Sequence, residues 1–99
     1  MCGAADQDIW DLTDVPPGMD GVIQGRAIRG GVPVPGAFVR LLDAEGEFTA
    51  EVVASPAGRF RFYARPGAWT LRALAPGATG RAVVHAAPGE VTTADIDLT

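Results

Sequence analysis

The feature that most restricts this chain is its punctuation. From Gly21 onward the sequence is broken at short intervals by Gly and Pro. Pro-Gly falls at 35–36, 66–67, 76–77 and 88–89, with Gly30-Gly31, Glu45-Gly46 and Ser55-Pro56-Ala57-Gly58 between them. Proline inside a helix removes a hydrogen bond and clashes with the preceding turn, and Gly costs about 1 kcal/mol relative to Ala there. No helix of ordinary length fits between such breaks. Pro-Gly instead favours a type II turn, in which Gly supplies the positive φ. The segments left between the turns have the length of strands.

Those segments also have the right periodicity. Arg59-Phe60-Arg61-Phe62-Tyr63 alternates, with Phe60 and Phe62 on one face and the two Arg and Tyr63 on the other. Trp69-Thr70-Leu71-Arg72-Ala73 alternates in the same way. Further strands are expected over 22–29, 37–42, 48–53, 81–85 and 91–98, the last with Ala94, Ile96 and Leu98 inward and Asp95 and Asp97 outward. Val32 to Gly36 reads as a turn, and 55–58 as a hairpin connection. Seven short strands, each with one wet and one buried face, predict an all-β, seven-stranded antiparallel Greek-key β-sandwich. Its core is expected to hold Ile23, Val39, Leu41, Val52, Phe60, Phe62, Trp69, Leu71, Val84, Ile96 and Leu98. Residues 1–20 read differently. Asp6, Asp8, Asp11, Asp14 and Asp20 surround Ile9, Trp10 and Leu12, and Pro16-Pro17-Gly18 follows. This is an acidic N-terminal arm leading into a domain spanning 21–99.

Composition narrows the function. Ninety-nine residues hold one domain. The net charge is −4, and all eight basic residues are Arg. An acidic chain with no basic tract is a poor partner for nucleic acid or an anionic membrane. The N-terminus has no basic and apolar leader pattern, and no apolar run approaches the ~20 residues of a membrane helix, so a cytoplasmic protein is expected. One His and one Cys exclude a tetrahedral zinc site built from those ligands. No cofactor motif is present, and Asp43, Asp95 and Asp97 do not form a calcium loop.

The ordered blocks Gly25-Arg26, Val34-Pro35-Gly36-Ala37-Phe38-Val39-Arg40-Leu41, Gly58-Arg59-Phe60-Arg61-Phe62 and Gly67-Ala68-Trp69-Thr70-Leu71 resemble the carboxypeptidase-regulatory-like domains, which have a transthyretin-like sandwich. That resemblance implies a fold and no particular function. Met1-Cys2-Gly3, Phe38 to Asp43, Gly46 to Ser55 and Gly67 to Leu74 are similar to the small actinobacterial proteins called SseC. The resemblance implies an uncharacterised family associated with thiosulfate sulfurtransferase (rhodanese), and hence a sulfurtransferase as partner. The transthyretin-like hydrolases end in a Tyr-Arg-Gly-Ser signature. This chain ends Ile96-Asp97-Leu98-Thr99, so that activity does not carry over.

Four sets of residues stand out as sites. Cys2 is a sulfur-acceptor candidate: with Met1 removed, its thiol lies beside an α-ammonium group that favours thiolate. The alternative is an inert terminal Cys. Arg59, Arg61 and Arg72, with Arg40 beside them, form a candidate oxyanion site if their strands are neighbours. The alternative is a solvated face where Glu47 and Glu51 pair with Arg. Trp10 is a partner-docking candidate, or else folds back over a sheet edge or an open end of the sandwich. His85 lacks a nucleophile or acid partner in its local sequence and reads as a half-exposed strand residue. No catalytic or metal-ligating set emerges. The chain is expected to be a non-enzymatic accessory protein of sulfur metabolism, or a plain protein-interaction sandwich.

Overall fold

A computed structural model of the chain describes residues 21–99. The elements are β1 (Gly21–Arg29), β2 (Val32–Pro33), β3 (Phe38–Leu42), β4 (Phe48–Val53), β5 (Arg59–Ala64), β6 (Gly67–Ala75), β7 (Ala78–Ala86), β8 (Val91–Thr93) and β9 (Ile96–Asp97). They form two sheets. One has β1 at its centre, with β2 and β5 antiparallel to it and β8 and β9 parallel to it. The other runs β4-β3-β6-β7 and is wholly antiparallel.

The β-sandwich and its buried face are as the alternation requires. Ile23, Val39, Leu41, Phe60, Phe62, Leu71, Val84, Ile96 and Leu98 are buried in one cluster, against which Val52 and Trp69 pack half-buried. The Trp69 indole N–H donates to the Arg65 carbonyl at 2.8 Å, which holds the ring at the end of the sandwich and satisfies its one polar atom.

Three details differ from the sequence expectation. Val32–Pro33 pairs back on Ile28–Arg29, so the expected turn contains a two-residue strand. The last strand is parallel to β1, not antiparallel to a neighbour, and its ladder is interrupted at Ala94-Asp95. The 55–58 turn does not close a hairpin: β4 and β5 lie in different sheets, and the turn carries the chain across a corner. Ser55 builds that corner. Its hydroxyl accepts the N–H groups of Ala57 and Arg59 at 3.2 and 3.1 Å, an arrangement that holds Ser55 to Arg59 in a tight bend. At the opposite corner, Thr79 and Thr99 exchange backbone hydrogen bonds of 3.2 and 2.9 Å. Gly80 permits this approach, because a Cβ there would collide with the Asp97 carbonyl.

Among the described residues, no helix is long and apolar enough to cross a membrane.

Candidate functional site

The sandwich presents two outer faces, and the Arg residues are divided between them. Arg59 and Arg61 lie on β5, opposite Arg26 and Gln24 of β1. Arg72 lies on β6 in the other sheet, opposite Arg40 of β3 and Arg81 of β7. Phe60 and Phe62 point inward from the first sheet and Leu71 and Ala73 from the second, so the full thickness of the core separates Arg72 from Arg59 and Arg61. The three do not form one oxyanion site.

Arg72 has other company. The register places Glu51, Arg40, Arg72 and Arg81 side by side in one row across β4, β3, β6 and β7. Cross-strand neighbours of this kind sit about 4.5–5.5 Å apart, and like charges placed so repel. Glu51 relieves only the first: its carboxylate accepts Arg40 Nε at 2.7 Å. Arg72 and Arg81 form no ion pair with another described residue. The pair borders a hollow of about 280 Å³ lined by Leu42, Thr70, Arg72, Thr79, Gly80 and Arg81. The row is flanked by apolar side chains. Val53, Phe38 and Leu74 lie on one side and Leu42 and Val83 on the other. Phe38 is 49% exposed, Val53 44% and Val83 69%. Two uncommitted guanidinium groups, two threonine hydroxyls and a bordering strip of exposed apolar surface suit an anionic group carried on an apolar patch.

Arg81 was not among the residues singled out from sequence, although a signal for it existed. Gly77 takes φ 73° in the two-residue Pro76-Gly77 turn, and hairpin symmetry about that turn sets Arg72 opposite Arg81.

The other expected residues have plainer places. His85 is exposed on β7 opposite Ala68, and its carbonyl accepts the Thr92 hydroxyl at 3.2 Å. The Ser55 hydroxyl accepts the backbone N–H groups of its own corner, and its local sequence brings no His beside it. Asp43 ties its own turn by accepting the N–H groups of Glu45 and Glu47 at 3.0 and 2.9 Å. Asp95 pairs with Arg26 at 3.3 Å. Among the described residues no group of three metal-ligating side chains assembles. Cys2 and Trp10 lie outside the described residues.

Residues 2–98 match the family described as protein of unknown function DUF1416. The chain belongs to that family. Two uncharacterized proteins of Mycobacterium tuberculosis are each 47% identical to it over 100 residues, covering the whole of both chains. An uncharacterized protein of Mycolicibacterium smegmatis is 59% identical over 64 residues, 64% of this chain and 71% of that one. Among solved structures, a DUF3823 family protein from Parabacteroides merdae matches 87% of this chain and 47% of its own with a TM-score of 0.65 and 15% identity. The minor pilin GBS52 of Streptococcus agalactiae matches 81% and 44%, at 0.67 and 13%. The 3-chlorocatechol 1,2-dioxygenase of Rhodococcus opacus matches 87% and 62%, at 0.54 and 12%. The chain spans less than two thirds of each of these structures. A pilin and a dioxygenase share this architecture, so the likeness shows the fold and assigns no function.

Proposed function

We propose that this chain is a non-enzymatic docking module whose working surface is the outer face of the β4-β3-β6-β7 sheet. The carrying observation is the Arg72–Arg81 pair, adjacent, without ion-pair partners among the described residues and bordered by exposed Phe38, Val53 and Val83. Adjacent like charges destabilise a sheet until an anion lies across them. A protein surface with carboxylates set among apolar side chains supplies that anion and covers the apolar strip as well.

The resemblance of the Met1-Cys2-Gly3 opening and of the β3, β4 and β6 blocks to the SseC proteins supports a finer reading, in which the partner is a thiosulfate sulfurtransferase and Cys2 accepts its sulfur. The chemistry balances. The Cys2 thiolate attacks the outer sulfur of the donor's persulfide, a new S–S bond forms at Cys2, and the donor cysteine leaves as thiolate. Incubation with persulfide-loaded sulfurtransferase should add one sulfur atom to the wild type, read by intact mass, and none to Cys2→Ser. If the wild type gains nothing while the same donor passes its sulfur to cyanide, Cys2 is not an acceptor. The Arg72→Glu/Arg81→Glu variant should abolish binding while keeping a native spectrum. Undiminished binding by that variant would remove the face from the account.

A further inference from the structure

The row Glu51, Arg40, Arg72, Arg81 crosses the four-stranded sheet from edge to edge, and its charges do not balance. On one edge β4 brings Glu51 to Arg40. On the other edge β7 carries Arg81, and among the described residues no further strand of this sheet lies beyond it to bring a carboxylate. Three guanidinium groups and one carboxylate leave the row with two positive charges uncompensated. Both stand at one end, on the directly opposed Arg72 and Arg81. The whole chain carries a net charge of −4, so its overall field does not draw an anion there. Local geometry has to do so.

The hollow beside the pair sets what that anion is. Leu71 and Ala73 enter the core, so Thr70 and Arg72 face outward, with Leu42 opposite Thr70. On β7, Thr79 and Arg81 are exposed on either side of Gly80. Because β6 and β7 are antiparallel, Thr70 and Thr79 lie on opposite sides of the Arg pair, each two residues before its own strand's Arg. Two hydroxyl-bearing side chains thus flank two guanidinium groups around one hollow, and no described carboxylate lines it. Its volume of about 280 Å³ falls just under the roughly 300–1,000 Å³ of pockets for drug-sized ligands. A carboxylate is planar, carries one charge and is satisfied by a single guanidinium fork. A tetrahedral dianion carries two charges and points its oxygens in several directions, which matches donors converging from two strands.

We infer that this hollow binds a tetrahedral dianion of the sulfate or phosphate kind, free or as the head of a small monoester. Arg72 and Arg81 neutralise it, and the Thr70 and Thr79 hydroxyls donate to its remaining oxygens. The site goes beyond the docking surface proposed above: it shares Arg72 and Arg81 with that surface, but it needs no protein partner and uses Thr70 and Thr79 besides, so the two fail separately.

Sodium sulfate titrated into the isotope-labelled full chain, at an ionic strength held constant with sodium chloride, tests the site. The amide signals of Thr70, Arg72, Gly80 and Arg81 should shift and saturate, and acetate should produce no saturating response. The Thr70→Val/Thr79→Val variant keeps both arginines and should bind sulfate about tenfold more weakly or worse. The Arg72→Gln/Arg81→Gln variant should show no saturation while its remaining signals stay native. Phenyl phosphate beside inorganic phosphate separates the two sources. Tighter binding that also shifts Leu42 assigns a monoester head, and equal binding assigns the free ion. A linear response shared with acetate, saturation centred on other arginines, or sulfate affinity unchanged by the two Thr substitutions would overturn the site. Partner binding in sulfate-free buffer, read separately, decides the docking surface.

Discussion

Phe60 lies wholly out of solvent, with its ring tip 3.1 Å from where a Cβ on Gly25 would stand. Small and large residues thus interlock between β5 and β1, and neither can change alone. Phe60→Ala should cost about 3–5 kcal/mol, a large share of the roughly 5–15 kcal/mol that holds a domain together. Gly25→Ala should cost at least about 1–3 kcal/mol, because its methyl group would also collide with the Ala94 carbonyl, a backbone atom that cannot rotate aside. Denaturant midpoints measure both. Val83→Ser is the contrasting case. Its side chain is exposed on the outer face, where substitutions usually stay within about 0.5 kcal/mol. It should leave the midpoint in place and weaken partner binding, a split that an isothermal titration beside the denaturation curve would show. Phe60 was legible from its alternation with Arg59 and Arg61. The Gly25 constraint was not, since it comes from Ala94, between β8 and β9, about seventy residues later in the chain.

That late strand carries the element-scale argument. β8 and β9 keep one register against β1, with Val91 facing Val22 and Ile96 facing Ala27. The ladder breaks between them, but few backbone groups are abandoned. Ala94 N–H donates to the Gln24 carbonyl at 2.8 Å, and Arg26 N–H donates to the Asp95 carboxylate at 3.0 Å. Asp95 therefore serves the fold mainly through the backbone N–H it satisfies. Its ion pair with Arg26 is substantially exposed and adds little. Asp95→Ala should cost about 1–3 kcal/mol, and Asp95→Asn less because an acceptor oxygen remains. Equal losses in chemical denaturation would assign the effect to charge. Alternation read the inward and outward residues of 91–98 correctly, but not their partner, because no turn joins parallel strands and nothing local marks the pairing. The same limit separated the arginines. Alternation places Arg59, Arg61 and Arg72 off the core without saying which sheet each strand joins, and the chain changes sheet between β5 and β6. Where a two-residue turn does join the strands, as at Pro76-Gly77, the register of Arg72 and Arg81 follows from the sequence alone.

At the scale of the whole molecule, one sandwich carries two cationic faces in different states. Around β1 the outward side chains of Val22 and Gln24 are already withdrawn from solvent. Across β4-β3-β6-β7, Arg72 and Arg81 form no ion pair with another described residue and lie beside exposed Phe38, Val53 and Val83. The open face is the one proposed to bind. Titration of the isotope-labelled full chain with thiosulfate sulfurtransferase, followed residue by residue through amide shifts, tests this most directly. The account predicts shifts confined to Phe38, Arg40, Leu42, Arg72, Leu74, Arg81 and Val83, and their loss in the Arg72→Glu/Arg81→Glu variant. An unchanged spectrum at excess sulfurtransferase, or shifts gathered on the Gln24–Arg61 face instead, would contradict it.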